Sequence, residues 1–374
     1  MTHIPLLSRV RGCVLGTALG DAIGGPFEFG PLERVPALTK GTWIDGLYPY
    51  VETTGPHGVW PYNGGLPPPG TGTDDVRLNW MFLELAADLR RMPTARDLAA
   101  RYVEIYERPE SVFAGHADLA RRQFAHFEGA CRGTLGQTSA QFPDLSPELL
   151  VARALGLNFP ILSGLFSLTV AGLLYPGRPD EAYRAAFELA FFDIGYAREA
   201  TALLAATVGA ALSWDGTPQA LFDRVMTLDP LHLGGPFSAP YVVYHLPQLL
   251  PTIANAGSDR EAARALSRVF RRDHPFDPLR TLGTAWLSVL AAEGDPLRAI
   301  LIAANHVGLD DEGNPTRYED IDCYGAIAGA IAGAIAGDDA FPQDMLAQVV
   351  ESNKTVYGID LEASIARFCE RCSS

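Results

Sequence analysis

The sequence predicts an all-α protein, because helical periodicity dominates it, helix-start signals recur along it, and convincing period-two runs are scarce. Apolar residues return at three- and four-residue spacing in 180–193 (DEAYRAAFELAFFD), 198–212 (REATALLAATVGAAL), 259–272 and 278–294. Thr94 with Asp97 reads as a capping box, and Pro109, Pro147, Pro179 and Pro218 stand where helices can begin. The best strand candidate is 240–246 (PYVVYHL), a stretch that equally suits the opening of a helix. No spacer rich in Ser, Gly or Pro divides the chain, so residues 1–374 are expected to form one large helical domain.

Composition narrows the function classes. With 48% hydrophobic and 20% charged residues, the 374-residue chain has the make-up of a soluble globular protein with a sizeable core. A net charge of −15, relieved by no Lys/Arg-rich block, repels nucleic-acid phosphate and anionic membrane, so no nucleic-acid backbone or membrane partner is expected. The cysteines (Cys13, Cys131, Cys323, Cys369, Cys372) are odd in number and scattered, unlike a disulfide framework. Cys369 and Cys372 form a C-x-x-C with neither a second pair nor nearby histidines to complete a zinc site. The opening MTHIPLLSRVRG lacks the apolar core of a signal peptide, and a cytoplasmic location is expected.

Two segments depart from ordinary helix patterning. Residues 41–73 are too rich in Gly and Pro for a regular element, yet they carry Trp43, Tyr48, Tyr50, Trp60 and Tyr62. Irregular segments of that length inside a domain are usually functional or disordered, and five large aromatics argue against disorder. In 322–339 (DCYGAIAGAIAGAIAGDD), Gly325, Gly329, Gly333 and Gly337 recur every fourth residue. The uncharged run is about fifteen residues, short of the roughly twenty a bilayer requires. Each glycine costs a helix about 1 kcal/mol relative to alanine, so four of them imply a buried helix packed closely against neighbouring backbone.

Acidic residues gather at two helix starts. Asp74 and Asp75 precede Val76, Trp80, Leu83 and Ala87 at helical spacing, and Asp320 and Asp322 stand at the head of the glycine-rich helix. Helix N-termini favour ionised carboxylates, and one such cluster alone reads as capping. Brought together, four carboxylates cannot all stay ionised without a cation, and oxygen-only donors suit Mg²⁺, Mn²⁺ or Ca²⁺. An EF-hand counted from Asp310 fails, with Pro315 where glycine is needed and Ile321 where glutamate is needed.

The segment GCVLGTALGDAIGGPFEF (12–29), the TDD at 73–75, and the acidic pair feeding YGAIAGAIAGA resemble, in that order, the ADP-ribosylglycohydrolase family. The likeness spans roughly 9–90 and 156–337, and 285–308 is similar to the family's helix pair before its last motif. It implies an all-α orthogonal helical bundle with a dinuclear Mg²⁺ or Mn²⁺ site at helix N-termini. The implied activity is hydrolysis of the glycosidic bond between ADP-ribose and a protein side chain or related conjugate. Position by position, the resemblance implies Thr73, Asp74, Asp75, Asp320 and Asp322 as metal ligands and Glu28 as a gating or acid/base carboxylate. Asp75 or Glu28 would serve as general base. Asp21 falls on the family's GDA, with a backbone-bonded carboxylate as its alternative reading. Asn158, Ser163 and Gly164 match the segment lining the ribose and phosphate pocket. The aromatics of 41–73 would either stack on adenine or pack in the core or a lid.

Three departures stand out. Cys323 replaces a threonine expected after the last aspartate, a soft donor poorly matched to Mg²⁺, which puts the second ion in question. The approach 308–322 is about ten residues longer than the family's, which opens the alternative that Asp310 or Asp311 replaces Asp320. A histidine-bearing segment appears as FDIGYAREA (192–200) with Tyr196 and no histidine. Alternative readings are a non-catalytic ADP-ribose-binding or structural family member, or a hydrolase of a small ribosyl conjugate or nucleoside.

Overall fold

The computed structural model describes residues 4–155, 160–235 and 239–372. Among them lie seventeen α-helices, short 3₁₀ turns and one two-stranded antiparallel pair, Val307–Leu309 with Pro315–Tyr318. The protein is all-α, as expected. The periodic segments form the helices Pro179–Leu189, Tyr196–Ala211, Asp259–Val269 and Pro278–Ala291. Thr94 and Asp97 make the reciprocal capping box. Pro147, Pro179 and Pro218 each occupy a first helical position, and Pro109 opens a 3₁₀ turn. The strand candidate is instead the helix Tyr241–His245. Val242 and Val243 are both buried, which a half-buried strand forbids, and the Glu199 carboxylate accepts both their N–H groups at 2.7 and 3.1 Å. No described helix is long and apolar enough to cross a membrane.

The glycine-rich helix Ile321–Ala336 is buried almost along its whole length, and its most extensive partner is the first helix, Leu6–Gly24. The reason is a second ladder: Gly12, Gly16, Gly20 and Gly24 repeat at the same four-residue spacing in the first helix. The two ladders mate antiparallel. A Cβ added at Gly16 would lie 2.4 Å from the Gly329 carbonyl oxygen, and one at Gly20 would lie 2.0 Å from that of Gly325. Gly12 faces Gly333 in the same way, and at the far end Gly24 abuts the backbone of Asp322. No other residue allows so close an approach.

Arg9, buried on the first helix, locks the opposite end of the pair. Its guanidinium donates to Ala211 O and Ile335 O at 2.8 and 2.9 Å, so one cation satisfies the last carbonyls of two helices. The aromatics of 41–73 mostly turn inward. Trp60 is fully buried, packs edge-on to Phe113, and carries the Arg77 guanidinium 4.0 Å above its ring. Arg77 in turn donates to the carbonyls of Pro56, His57 and Gly58, which pins that part of the segment.

The ladder predicts that Gly16→Ala or Gly20→Ala will be destabilising by about 1–3 kcal/mol or more, as overpacking in a tight core is. Replacing glycine in an open helix has the opposite sign. Thermal unfolding of each variant, beside an exposed-helix control, reads the difference directly.

Candidate functional site

The TDD and DID segments are delivered to one place by this packing. Thr73 is the N-cap of the helix Asp74–Leu89, and Asp320 is the N-cap of Ile321–Ala336. Neither side chain caps its own helix. The Thr73 hydroxyl donates instead to Asp322 Oδ2 at 3.2 Å, a contact across 249 positions of sequence. Asp320 Oδ2, Asp75 Oδ1 and Asp322 Oδ1 are buried with no hydrogen-bond partner among the described residues. Carboxylate oxygens left unpaired inside a protein are costly, which is difficult to reconcile with a capping role.

The loop that presents Thr73 is held from two sides. Asp21, fully buried on the first helix, accepts the Thr73 N–H at 2.9 Å and the Val76 N–H at 3.0 Å, so it does the capping that Thr73 does not. Asn353 grips the preceding glycines, accepting from Gly72 N and donating to Gly70 O, both at 3.1 Å. The Tyr357 hydroxyl donates to Gly72 O at 2.6 Å.

Glu28 reaches the same cluster by a backbone device. Phe29 N–H donates to Glu319 O and Tyr318 N–H to Gly30 O, so residues 29–31 run beside the second strand of the hairpin. That ladder sets Glu28 next to Asp320. The added length of the approach is the hairpin itself, and Asp310 sits in its turn with its carboxylate bound to Asn314 N at 2.7 Å. Asp320, not Asp310 or Asp311, joins the cluster.

Two triads of donor atoms result, each with its atoms within 4.8 Å of one another: Glu28, Asp320 and Asp322, and Asp75, Asp322 and Cys323. Asp322 belongs to both. Cys323 Sγ donates to Asp75 Oδ2 at 3.3 Å. The all-oxygen triad fits a hard divalent ion such as Mg²⁺ or Mn²⁺; the triad containing sulfur does not fit Mg²⁺. Asp74 faces the cleft with Oδ2 held 2.9 Å from His57 Nδ1.

Crowding dominates the electrostatics. Burial, then the charges of Asp322, Asp320, Asp74 and Asp75, raise Glu28 well above the usual carboxylate range. Burial and the neighbouring acids likewise raise Asp75 and Asp320, and Asp322 is pushed up to about 7 by burial and Asp74. Asp21 is pushed up to about 8 by burial and Asp322, although its N–H partners oppose the shift. Arg280, buried with Nη2 3.0 Å from His306 Nε2, offsets part of the charge at Asp320.

The cluster floors a cleft of about 430 Å³. Its walls carry Phe29, Phe276, His57 and His126 beside Ser163 and Phe166. Phe29 adopts a left-handed backbone (φ 47°), rare for an aromatic residue, and meets Phe276 edge-on at 5.5 Å. Segment 41–73 lines the cleft with Thr54, His57 and Gly58 and not with its five large aromatics. Ser163 faces the cleft, whereas the Gly164 N–H is taken by the Asp193 carboxylate at 3.0 Å. Asn158 lies outside the described residues. Sequence reasoning missed His57, His126, Phe276 and Asp193; only His57 carried a signal, its place in the long irregular segment.

The sequence profile of one family, ADP-ribosylglycohydrolase, matches residues 2–373. The chain belongs to the ADP-ribosylglycohydrolase family. A solved structure, titled ADP-ribosylglycohydrolase-related protein complex, is similar in fold with a TM-score of 0.51 at 20% identity, covering 94% of this chain and 98% of that one. No curated protein matches. Membership in this glycohydrolase family, with its acids converged on one cleft, makes hydrolysis of a glycosidic bond the general chemistry of the fold.

The raised carboxyl groups give a pH signature. A group whose folded pKa lies above its unfolded value stabilises fully below the unfolded pKa, near 4, and loses that contribution as pH rises through the folded value. For Asp322 the window therefore closes near pH 7. In chelator, the stability of Asp322→Asn relative to wild type should become steadily more favourable from pH 4 to 8, and melting curves of the two proteins across that range check the slope.

Proposed function

We propose that the protein is a divalent-metal-dependent hydrolase that cleaves the glycosidic bond between ADP-ribose and an acceptor, a protein side chain or a related conjugate. The observation that carries this reading is the set of buried, unpartnered carboxylate oxygens, those of Asp320 and Asp322 on residues that line the cleft and that of Asp75 beneath it. They need a cation, and they stand where a sugar entering the cleft would meet it.

Glu28, Asp320 and Asp322 would hold Mg²⁺ or Mn²⁺, with Asp74, Asp75 and Thr73 completing the surround. Bound metal would supply orientation of ribose hydroxyls and acidification of a water. Glu28 lines the cleft and Asp75 does not, so Glu28 is the carboxylate placed to take a proton from an attacking water. Asp75, fully buried against Cys323, is the holder and not the base. The concentrated negative charge stabilises the positive charge that spreads over the anomeric carbon and ring oxygen as the bond breaks. Phe29, Phe166 and Phe276 form an apolar wall that limits water, and Ser163 offers a hydroxyl at its edge.

Release of free ADP-ribose from ADP-ribosylated protein, in Mg²⁺, in Mn²⁺ and in chelator, tests the reading. Turnover should require the metal, and Glu28→Gln should weaken metal binding and, at saturating metal, lower kcat by about 10²–10⁴. Tight ADP-ribose binding without turnover in any metal would identify a non-catalytic binding member instead, and turnover of free nucleosides alone would identify the small-conjugate hydrolase.

A second expectation follows from charge alone. Saturating Mg²⁺ or Mn²⁺ should raise the melting temperature, by RT ln(1 + [L]/Kd) in free energy, and Asp75→Asn with Asp322→Asn should abolish that response. Differential scanning fluorimetry against metal concentration measures both.

A further inference from the structure

The two donor triads are chemically unequal, and that inequality has a consequence for which ions the protein takes. Glu28, Asp320 and Asp322 offer oxygen only. Asp75, Asp322 and Cys323 offer two oxygens and a sulfur, all buried, with the three donor atoms inside 4.8 Å of one another. The Cys323 side chain is buried at the edge of the core where it also borders the cleft, and its Sγ is 3.3 Å from Asp75 Oδ2. Independently of the cysteine, Asp75 Oδ1 and Asp322 Oδ1 are orphaned, on residues 0% and 2% exposed. Two carboxylates with unsatisfied oxygens, grouped with a thiol, describe a ligand set.

We infer that the triad Asp75, Asp322 and Cys323 is a site for a borderline transition-metal ion of the Zn²⁺ class, beside a hard-ion site at Glu28, Asp320 and Asp322. The two sites would share Asp322, making a mixed-metal centre. The chemistry follows from donor softness. Thiolate discriminates strongly against Mg²⁺, which prefers six oxygens, whereas Zn²⁺ accepts sulfur at roughly 2.3 Å and carboxylate oxygen at roughly 2.0–2.2 Å in one small site. Binding replaces the Sγ–H bond by an Sγ–metal bond, and the proton leaves to solvent. A threonine at this position would present a neutral hydroxyl and restore an all-oxygen set suited to Mg²⁺.

The inference rests on the metal-dependent reading above, and the experiment separates the two. Metal-free protein in a Cys369→Ser, Cys372→Ser background, which removes the other thiol pair able to take an ion, is titrated with Co²⁺ as a spectroscopic stand-in for Zn²⁺. A thiolate-to-cobalt charge-transfer band should saturate with one equivalent, disappear on adding Zn²⁺, and persist in excess Mg²⁺. Adding Cys323→Ser should remove the band and weaken Zn²⁺ binding at least about tenfold by calorimetry, without weakening Mg²⁺ binding. Calorimetric Co²⁺ binding with no band in the Cys323-containing protein would overturn the inference whether or not the serine variant folds, and so would equal Zn²⁺ affinity with and without Cys323. Mg²⁺-supported hydrolysis with no band would sink the mixed-metal centre alone. Failure of the Cys323-containing protein to bind any of the three ions would remove both readings.

Discussion

The close approach of two glycine ladders is the constraint on which the site depends. Gly12, Gly16 and Gly20 of the first helix meet Gly333, Gly329 and Gly325 backbone to backbone, at separations that no side chain permits. This contact fixes the head of the helix Ile321–Ala336 against the C-terminal end of the first helix, where Gly24 lies on Asp322. Asp21 is one turn earlier on the first helix, and its carboxylate captures Thr73 and Val76 N–H groups. One helix thus positions both acidic segments at once. A Cβ at Gly24 would meet the Asp322 backbone directly.

Concentrating unneutralised carboxylates in a buried place is unfavourable, and the fold surrounds them with compensations that are all peripheral. Asp21 receives backbone N–H groups, Arg280 sits behind Asp320, and His57 meets Asp74 at the cleft rim. None of these reaches the orphaned oxygens of Asp75, Asp320 and Asp322. On the metal-dependent reading proposed above, the stability spent there would be recovered on binding a cation, and the same repulsion that strains the metal-free protein would supply the affinity. Buried glycine contacts and the Arg9 clamp across two helix ends provide the rigidity that keeps the acids together meanwhile.

Much of the candidate site was legible because its residues lie at helix starts that announce themselves. Asp74 and Asp75 precede a periodic run, and Asp320 and Asp322 precede a glycine repeat, so each cluster could be placed on an element before any contact was known. The wall of the cleft was not legible in the same way. His126 and Phe276 reach it from a helix and a loop whose local patterns are ordinary, and of the aromatics of 41–73, which suggested a stacking surface, Trp60 packs under Arg77 and none lines the cleft. Asp193 illustrates the difficulty: its carboxylate occupies the Gly164 N–H that sequence reasoning had offered to a ligand.

By itself the sequence determined the helical class, the starts of its helices, the two acidic segments and the requirement that the glycine-rich helix find close backbone. These are properties of neighbours in the chain, set by periodicity, capping chemistry and the cost of glycine. Only the tertiary structure decided which helix supplies that backbone. It also chose Asp320 over Asp310, by folding the intervening residues into a hairpin whose second strand pairs with the Glu28 segment. And it split the acids into an oxygen triad and a sulfur-bearing triad that share Asp322. Those outcomes depend on contacts between residues some 250 to 330 positions apart, such as Thr73 with Asp322 and Arg9 with Ile335, and no local rule carries information across that distance.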